Sequence, residues 1–152
     1  VTGVKGRLIG LALLGVVVSS CATSEALPVF DAPVVDSAGV LSEAVEADLT
    51  VELEAFRANA GPQIAVLTVE STGGAAIEDY SIDVARAWGV GDRAKDDGVL
   101  LVIVTGDREL RIEVGSGVEG DLTDLEAGRI IDLAVVPLLQ ASDMDGAVRE
   151  GV

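Results

Sequence analysis

The chain has no histidine and a single cysteine. Without imidazole there is no Ser-His or Cys-His relay for nucleophilic catalysis, and no metal site built on histidine. One cysteine cannot close an intramolecular disulfide. Basic residues are scarce too: 10 Lys and Arg stand against 26 Asp and Glu, a formal charge of −16. Such a surface repels nucleic-acid phosphates and anionic lipid, and favours cations or basic partners. No internal repeat is visible. What the chain has in quantity is apolar residues, 49% of 152, which argues for one domain with one core and against disorder of its body.

Residues 1–20 read as an address. Lys5 and Arg7 form a short basic region, and the apolar run Leu8 to Val18 is too short to span a bilayer. The run ends in Val18-Ser19-Ser20-Cys21, which resembles the lipobox of bacterial lipoproteins. That resemblance implies that Cys21 is lipidated and becomes the first residue of the mature chain. Residues 21–33, with Pro28 and Pro33, then read as a flexible lipidated tether, and residues 34–152 as the folded domain.

The folded part is organised around Gly98 to Val104, seven residues without charge and rich in Val, Leu and Ile. This pattern predicts a strand buried on both faces. Gly106-Asp107 predicts a hairpin turn, and the return run Glu109 to Val114 alternates, with Leu110, Ile112 and Val114 facing inward. Gln63 to Val69 is a second buried strand. Between the two lies a helix striped by Ile77, Tyr80, Val84 and Trp88, so the strands should be parallel with a right-handed crossover. Ahead of them, Ser42 caps a helix striped by Val45, Leu49, Leu53 and Phe56. After the hairpin, Thr123-Asp124-Leu125-Glu126 fits a capping box, opening a helix with Leu125, Ile130, Ile131 and Leu133 as its apolar residues. The fold class is therefore α/β: a three-layer α/β/α sandwich whose small mixed sheet combines a βαβ unit with an antiparallel hairpin.

Two local motifs lose their functional reading in context. Gly115-Ser116-Gly117-Val118-Glu119-Gly120 matches G-x-G-x-x-G, but a helix cap comes only at Thr123, and Glu119 and Asp121 would repel a pyrophosphate. No dinucleotide is expected. Asp143-Met144-Asp145-Gly146 lacks the third acid of a calcium loop and does not follow a buried strand, so it reads as an acidic helix cap.

The predicted topology gathers charge at one end of the sheet. Asp92, Asp96, Asp97, Glu119, Asp121 and Asp124 fall there, with Arg93 and Lys95 alongside. One reading is a solvated acidic rim. The other is a hard-cation site of carboxylates and glycine-loop carbonyls, with no nitrogen or sulfur ligand. Crowded carboxylates are expected to raise one another's pKa until a cation neutralises them.

Several blocks, all in one order, resemble the TPM domain. They are Asp36 to Ser42, Gly61 to Val66, Ile77 to Tyr80, Trp88 to Gly91, Asp97 to Leu101, Arg108 with Arg111 to Gly115, and Gly117 to Asp124. Ser116, where the pattern often has an aromatic residue, and Asp97, where asparagine is common, depart from it. The resemblance implies a small α/β/α sandwich of the bacterial envelope. Some relatives bind calcium or another divalent ion, and weak phosphatase activity is attributed to some. It also makes Asp36 a metal ligand, although by its position Asp36 is equally a turn or cap residue.

The expectation is an extracytoplasmic lipoprotein, held on the membrane through Cys21 and serving envelope proteins as a divalent-cation-binding interaction or maintenance module. Its metal residues would be Asp36, Asp96, Asp97, Glu119 and Asp124, with calcium or another divalent cation as the ligand. No catalytic or cofactor-binding residue is expected. The alternative is a metal-assisted phosphatase, with Arg93, Lys95, Arg108 and Arg111 as phosphate ligands.

Overall fold

A computed structural model describes residues 26–59 and 61–152. The leader, the lipobox and Cys21 lie outside the described residues. The elements run β1 (Val34–Asp36), α1 (Glu43–Ala58), β2 (Gln63–Val69), α2 (Ile77–Trp88), β3 (Gly98–Val104) and β4 (Glu109–Val114). Then come α3 (Asp124–Ile130), a π-helical segment (Ile131–Val135), α4 (Val136–Gln140) and α5 (Met144–Gly151). The sheet order is β1-β2-β3-β4, with β1, β2 and β3 parallel and β4 antiparallel to β3.

Every residue of β3 is buried, because helices cover both faces of the sheet. Val66, Val99, Leu101, Ile103 and Ile112 face one core with Val45, Leu49 and Leu53 of α1 and Val148 of α5. Ala65, Leu67, Leu100, Val102 and Val104 face the other with Ile77 and Val84 of α2. This is the expected α/β/α sandwich.

The two crossovers differ in hand. β1, β2 and β3 advance in one direction across the sheet, yet α1 and α2 lie on opposite faces. Parallel crossovers advancing the same way share a face when both are right-handed, so one of these two is left-handed, a rare arrangement.

Three packing expectations also change. The stretch before β1 has the sequence of a flexible tether, but from Leu27 onward it docks on the α2 face. Phe30 stacks on Trp88 at 4.8 Å between ring centroids, the Trp88 indole donates to Pro28 O at 2.8 Å, and Val66 N donates to Pro33 O. Two large rings bury each other there, which explains the docking. Phe56 is not inside the core. It is 45% exposed, its ring lying against Gly61, where a Cβ would meet it. Leu125 and Leu133 are 65% and 78% exposed, while Ala127 and Val135 point inward. Val136 N bonds Ile131 O, five residues back, and this widened turn shifts the helical phase just ahead of Pro137, which has no amide hydrogen to give.

The caps match their motifs. Thr123 and Glu126 form the reciprocal capping box on α3, and Asp143 accepts from Gly146 N at 2.9 Å to cap α5. The Asp143-Met144-Asp145-Gly146 stretch is a helix start, and Asp145 accepts from Ser42 N, tying α5 to the start of α1.

Candidate functional site

The loop from Gly89 to Asp97 must end where β3 begins, hard against its own start. A Cβ on Gly91 would meet the backbone of Gly98, and one on Gly98 would meet the carbonyl of Val90. Only glycine allows this approach, and Gly91 also has a φ of 91°. The loop leaving β4 is pressed on from the other side: a Cβ on Gly115 would meet Asp96 O, and one on Gly117 would meet Lys95 O. Two loops packed backbone to backbone thus form the amino-terminal edge of β2 and β3. Between them and α2 opens a cleft of about 580 Å³, which Arg86, Asp92, Arg93, Asp96, Glu113 and Glu119 line with charge.

Asp96 has a left-handed backbone, φ 51°. Its carbonyl accepts from Gly117 N at 2.9 Å, and its carboxylate Oδ2 accepts from Ser116 Oγ at 2.7 Å and Ser116 N at 3.1 Å. The Ser116 hydroxyl and then its amide hold the Asp96 carboxyl below the ordinary aspartate value. Asp96 Oδ1 takes no hydrogen bond from the described residues.

Asp97 has different partners. Its Oδ1 accepts from Asp92 N at 2.7 Å and its Oδ2 from Arg57 Nη1 at 2.9 Å, with the side chain 13% exposed. Arg57 comes from α1, on the face opposite α2, and also donates to Gly61 O at 3.1 Å. The Asp92 amide and then Arg57 hold the Asp97 carboxyl below its ordinary value. The expected rise from crowding is therefore reversed. Mutual repulsion acts on Asp96, but it is the smallest of the influences there, and hydrogen-bond donors outweigh it.

The five expected ligands do not converge. Asp96 and Glu119 share the cleft. Asp97 is beside it but spent on Arg57 and Asp92. Asp124 opens α3, outside the cleft lining. Asp36 lies at the far end of the sheet: it is in register with Thr68, five residues along β2 from Gln63, roughly 16 Å of strand. Its carboxylate accepts from the Thr68 hydroxyl, from Val40 N at 3.1 Å and from Leu41 N at 2.8 Å, which makes it the turn residue of its two readings. Among the described residues, no three acidic, cysteine or histidine side chains are grouped so as to hold a metal by themselves.

The cleft also holds residues that spacing did not reveal. Glu113 Oε2 accepts from Arg111 Nε at 2.8 Å and Ser81 Oγ at 3.2 Å. Arg86, in the last turn of α2, reaches the cleft because α2 packs over β4 as well as β3. The one sequence signal for it is its place beside Trp88 on the helix that covers the sheet.

Fold and site together define an α/β/α domain with a charged, oxygen-rich cleft at the amino-terminal edge of its parallel strands. The family model described as the TPM domain matches residues 34–152, and the chain belongs to that family. It is similar to the N-terminal domain of a protein from P. gingivalis, solved by solution NMR, with 38% identity and a TM-score of 0.71 over 78% of this chain and 76% of that one. The N-terminal domain of a protein from Corynebacterium glutamicum shares the fold at 17% identity and a TM-score of 0.61, over 83% of this chain and 78% of that one. None of the curated proteins matches the chain.

Proposed function

We propose that this TPM domain is a non-catalytic, divalent-cation-binding module of the cell envelope, anchored to the membrane by lipid at Cys21, where it serves the interaction or maintenance of envelope proteins. The observation that carries the cation reading is the cleft itself. Asp92, Asp96 and Glu119 line it, and Asp96 Oδ1, the Glu119 carboxylate and Asp92 Oδ2 take no hydrogen bond from the described residues, though the three are not grouped as a ready ligand set. The donor set is oxygen only, and a calcium ion completes a sparse set of carboxylates with carbonyls and water. The anchor rests on Lys5, Arg7, the short apolar run and the lipobox. Among the described residues no helix is long and apolar enough to cross a membrane.

The second reading, a metal-assisted phosphatase, is favoured by Arg86 and Arg93 in the same cleft. Its nucleophile would be a metal-bound water rather than a side chain. Ser116 is the hydroxyl in place, but its partner Asp96 has a lowered pKa, and so weak a base does not activate an alcohol. Calorimetric titration of the protein with calcium tests the cation reading: saturable binding that Asp96→Ala and Glu119→Ala weaken supports it, and no heat at millimolar calcium refutes it. For the anchor, Cys21→Ala should release the protein from salt-washed membranes; retention there contradicts it.

A further inference from the structure

We propose that the outer edge of β4 pairs with β4 of a second copy of this chain, antiparallel about a two-fold axis at Ile112, so that the two sheets join into one. The inference goes beyond the cation reading and does not depend on it.

The first observation is an edge without protection. Gly115 N donates to Gly98 O, and Arg111 lies in register with Val102. In an antiparallel pair the hydrogen-bonded residues alternate, so Glu109, Arg111 and Glu113 turn their amides and carbonyls to β3. Leu110, Ile112 and Val114 turn theirs outward, where they take no hydrogen bond from the described residues. An unpaired row of this kind is a template for another strand, and chains usually blunt it with proline, lysine, a bulge or brevity. The opposite edge follows that rule: β1 has three residues, and Pro33 precedes it. β4 has six residues, an unbroken register and neither proline nor lysine.

The second observation is that the edge is complementary to itself. With the axis at Ile112, Leu110 faces the second copy's Val114 and Ile112 faces its own counterpart. No other axis matches the whole outward row. The same axis sets Arg111 across from the second copy's Glu113, and Glu113 across from the second copy's Arg111. These are non-hydrogen-bonded pairs, the closer kind, with Cα atoms about 4.5 Å apart. An axis moved to Arg111 or to Glu113 sets that residue against its own counterpart, and like charges directly opposite destabilise a sheet. Within one chain Arg111 gives only Nε, to Glu113 Oε2, so its other nitrogens and Glu113 Oε1 are available to cross the junction.

The third observation is what flanks the edge. α3 and the π-helical segment touch β4 and carry the exposed Leu125 and Leu133, apolar surface for the second copy to cover. Open space borders the strand at both ends, in the cleft beside Glu113 and Val114 and in a cavity of about 610 Å³ between Leu110 and α4. A two-fold axis through the edge stands perpendicular to the sheet. Both α2 layers, with the docked stretches at Leu27 and Phe30, therefore come to one side. Two copies anchored to one membrane meet that condition.

The test is sedimentation velocity of the full chain in mild detergent, with micelles in large excess so that the leader joins no two copies. The formal charge of −16 on each copy opposes association, so the salt is set at about 0.15 M, where the Debye length is about 8 Å. The parent should be dimeric at about 100 μM and dissociate below about 1 μM, since a small interface supports micromolar binding. Arg111→Glu alone and Glu113→Arg alone should each be monomeric. An equimolar mixture of the two should regain the dimer, because each supplies the charge that the other lacks. The repulsion inside each variant's own strand is the same alone and mixed, so recovery reads the interface. Amide hydrogen exchange needs only the parent. The amides of Leu110, Ile112 and Val114 should exchange about tenfold or more slower in the dimer and open on dilution, while those of Arg111 and Glu113, bonded to β3, stay slow throughout. A parent that is monomeric at every concentration overturns the inference and leaves the edge to a strand of another protein. So does a dimer that either single variant keeps, a mixture of folded variants that stays monomeric, or an outward row of amides that ignores dilution.

Discussion

The two ends of the sheet treat their aspartates differently. At the carboxyl-terminal end, Asp36 accepts from a buried threonine hydroxyl and two backbone amides, and its carboxylate is fully used in holding the turn that leads to α1. At the amino-terminal end, Asp97 is used in the same way, tying α1 through Arg57 to the loop before β3. Asp96, the residue before it, gives only Oδ2 to Ser116, and its Oδ1 takes no hydrogen bond from the described residues. Having a carboxylate at a strand end is therefore not what separates structure from site. What separates them is whether both carboxylate oxygens are engaged by neighbouring donors or only one.

Both ends hang on β3, so the largest effect should come from its middle and should not discriminate between them. Leu101 is 1% exposed, and Leu101→Ala should cost about 2–5 kcal/mol by chemical denaturation, with or without calcium. A loss below about 0.5 kcal/mol would place the strand at the surface.

Next comes the closed end. Asp36→Ala leaves the buried Thr68 hydroxyl and two amides without their acceptor and should cost about 1–3 kcal/mol while leaving calcium binding untouched. A change in calcium affinity would make Asp36 the ligand that the resemblance implied.

The third effect is smaller and depends on pH. Asp96 and Asp97 have folded-state pKa values below their unfolded ones, near 3.9 for aspartate. Their contribution to stability is present above about pH 4 and is lost as pH falls through the lower folded values. Asp97→Asn should therefore flatten the fall in melting temperature below about pH 4, relative to the parent. Identical acid limbs would mean that the Arg57 and Asp92 contacts add nothing in solution.

The fold was legible because its signals are local and strong. The uncharged run Gly98–Val104, the alternation of Glu109–Val114 and the Thr123–Glu126 capping box each predict one element, and each is there. The errors have physical causes. Phase counting through Ile131 assumes a regular helix, and the π-helical turn ahead of Pro137 shifts the phase at Leu133, while Leu125, in the first turn of α3, is exposed because Ala127 takes the inward position there. The expectation of a right-handed crossover covers β2-α2-β3 alone, and nothing in the residues between β1 and β3 announces that the two crossovers differ in hand. The charged edge of the sheet was legible as a place, but the partners of its side chains were not. Topology brings Asp96 and Glu119 to one edge, yet adjacency in sequence hides that Asp96 and Asp97 have different partners, and the Arg57–Asp97 pair spans 40 residues without a local pattern. Asp36 entered through resemblance, and register places it at the other end.

The central claim is that the open end binds a divalent cation and the closed end does not. Its most direct test is the calcium-dependent shift in melting temperature, measured on the parent, Asp96→Ala, Glu119→Ala and Asp36→Ala. At a hundredfold excess over Kd, calcium should add about 2.7 kcal/mol to the parent. Asp96→Ala and Glu119→Ala should lose most of that shift, and Asp36→Ala should keep it on a lower baseline. A parent that does not shift at millimolar calcium, or an Asp36→Ala protein that loses the shift as fully as Asp96→Ala, contradicts the account.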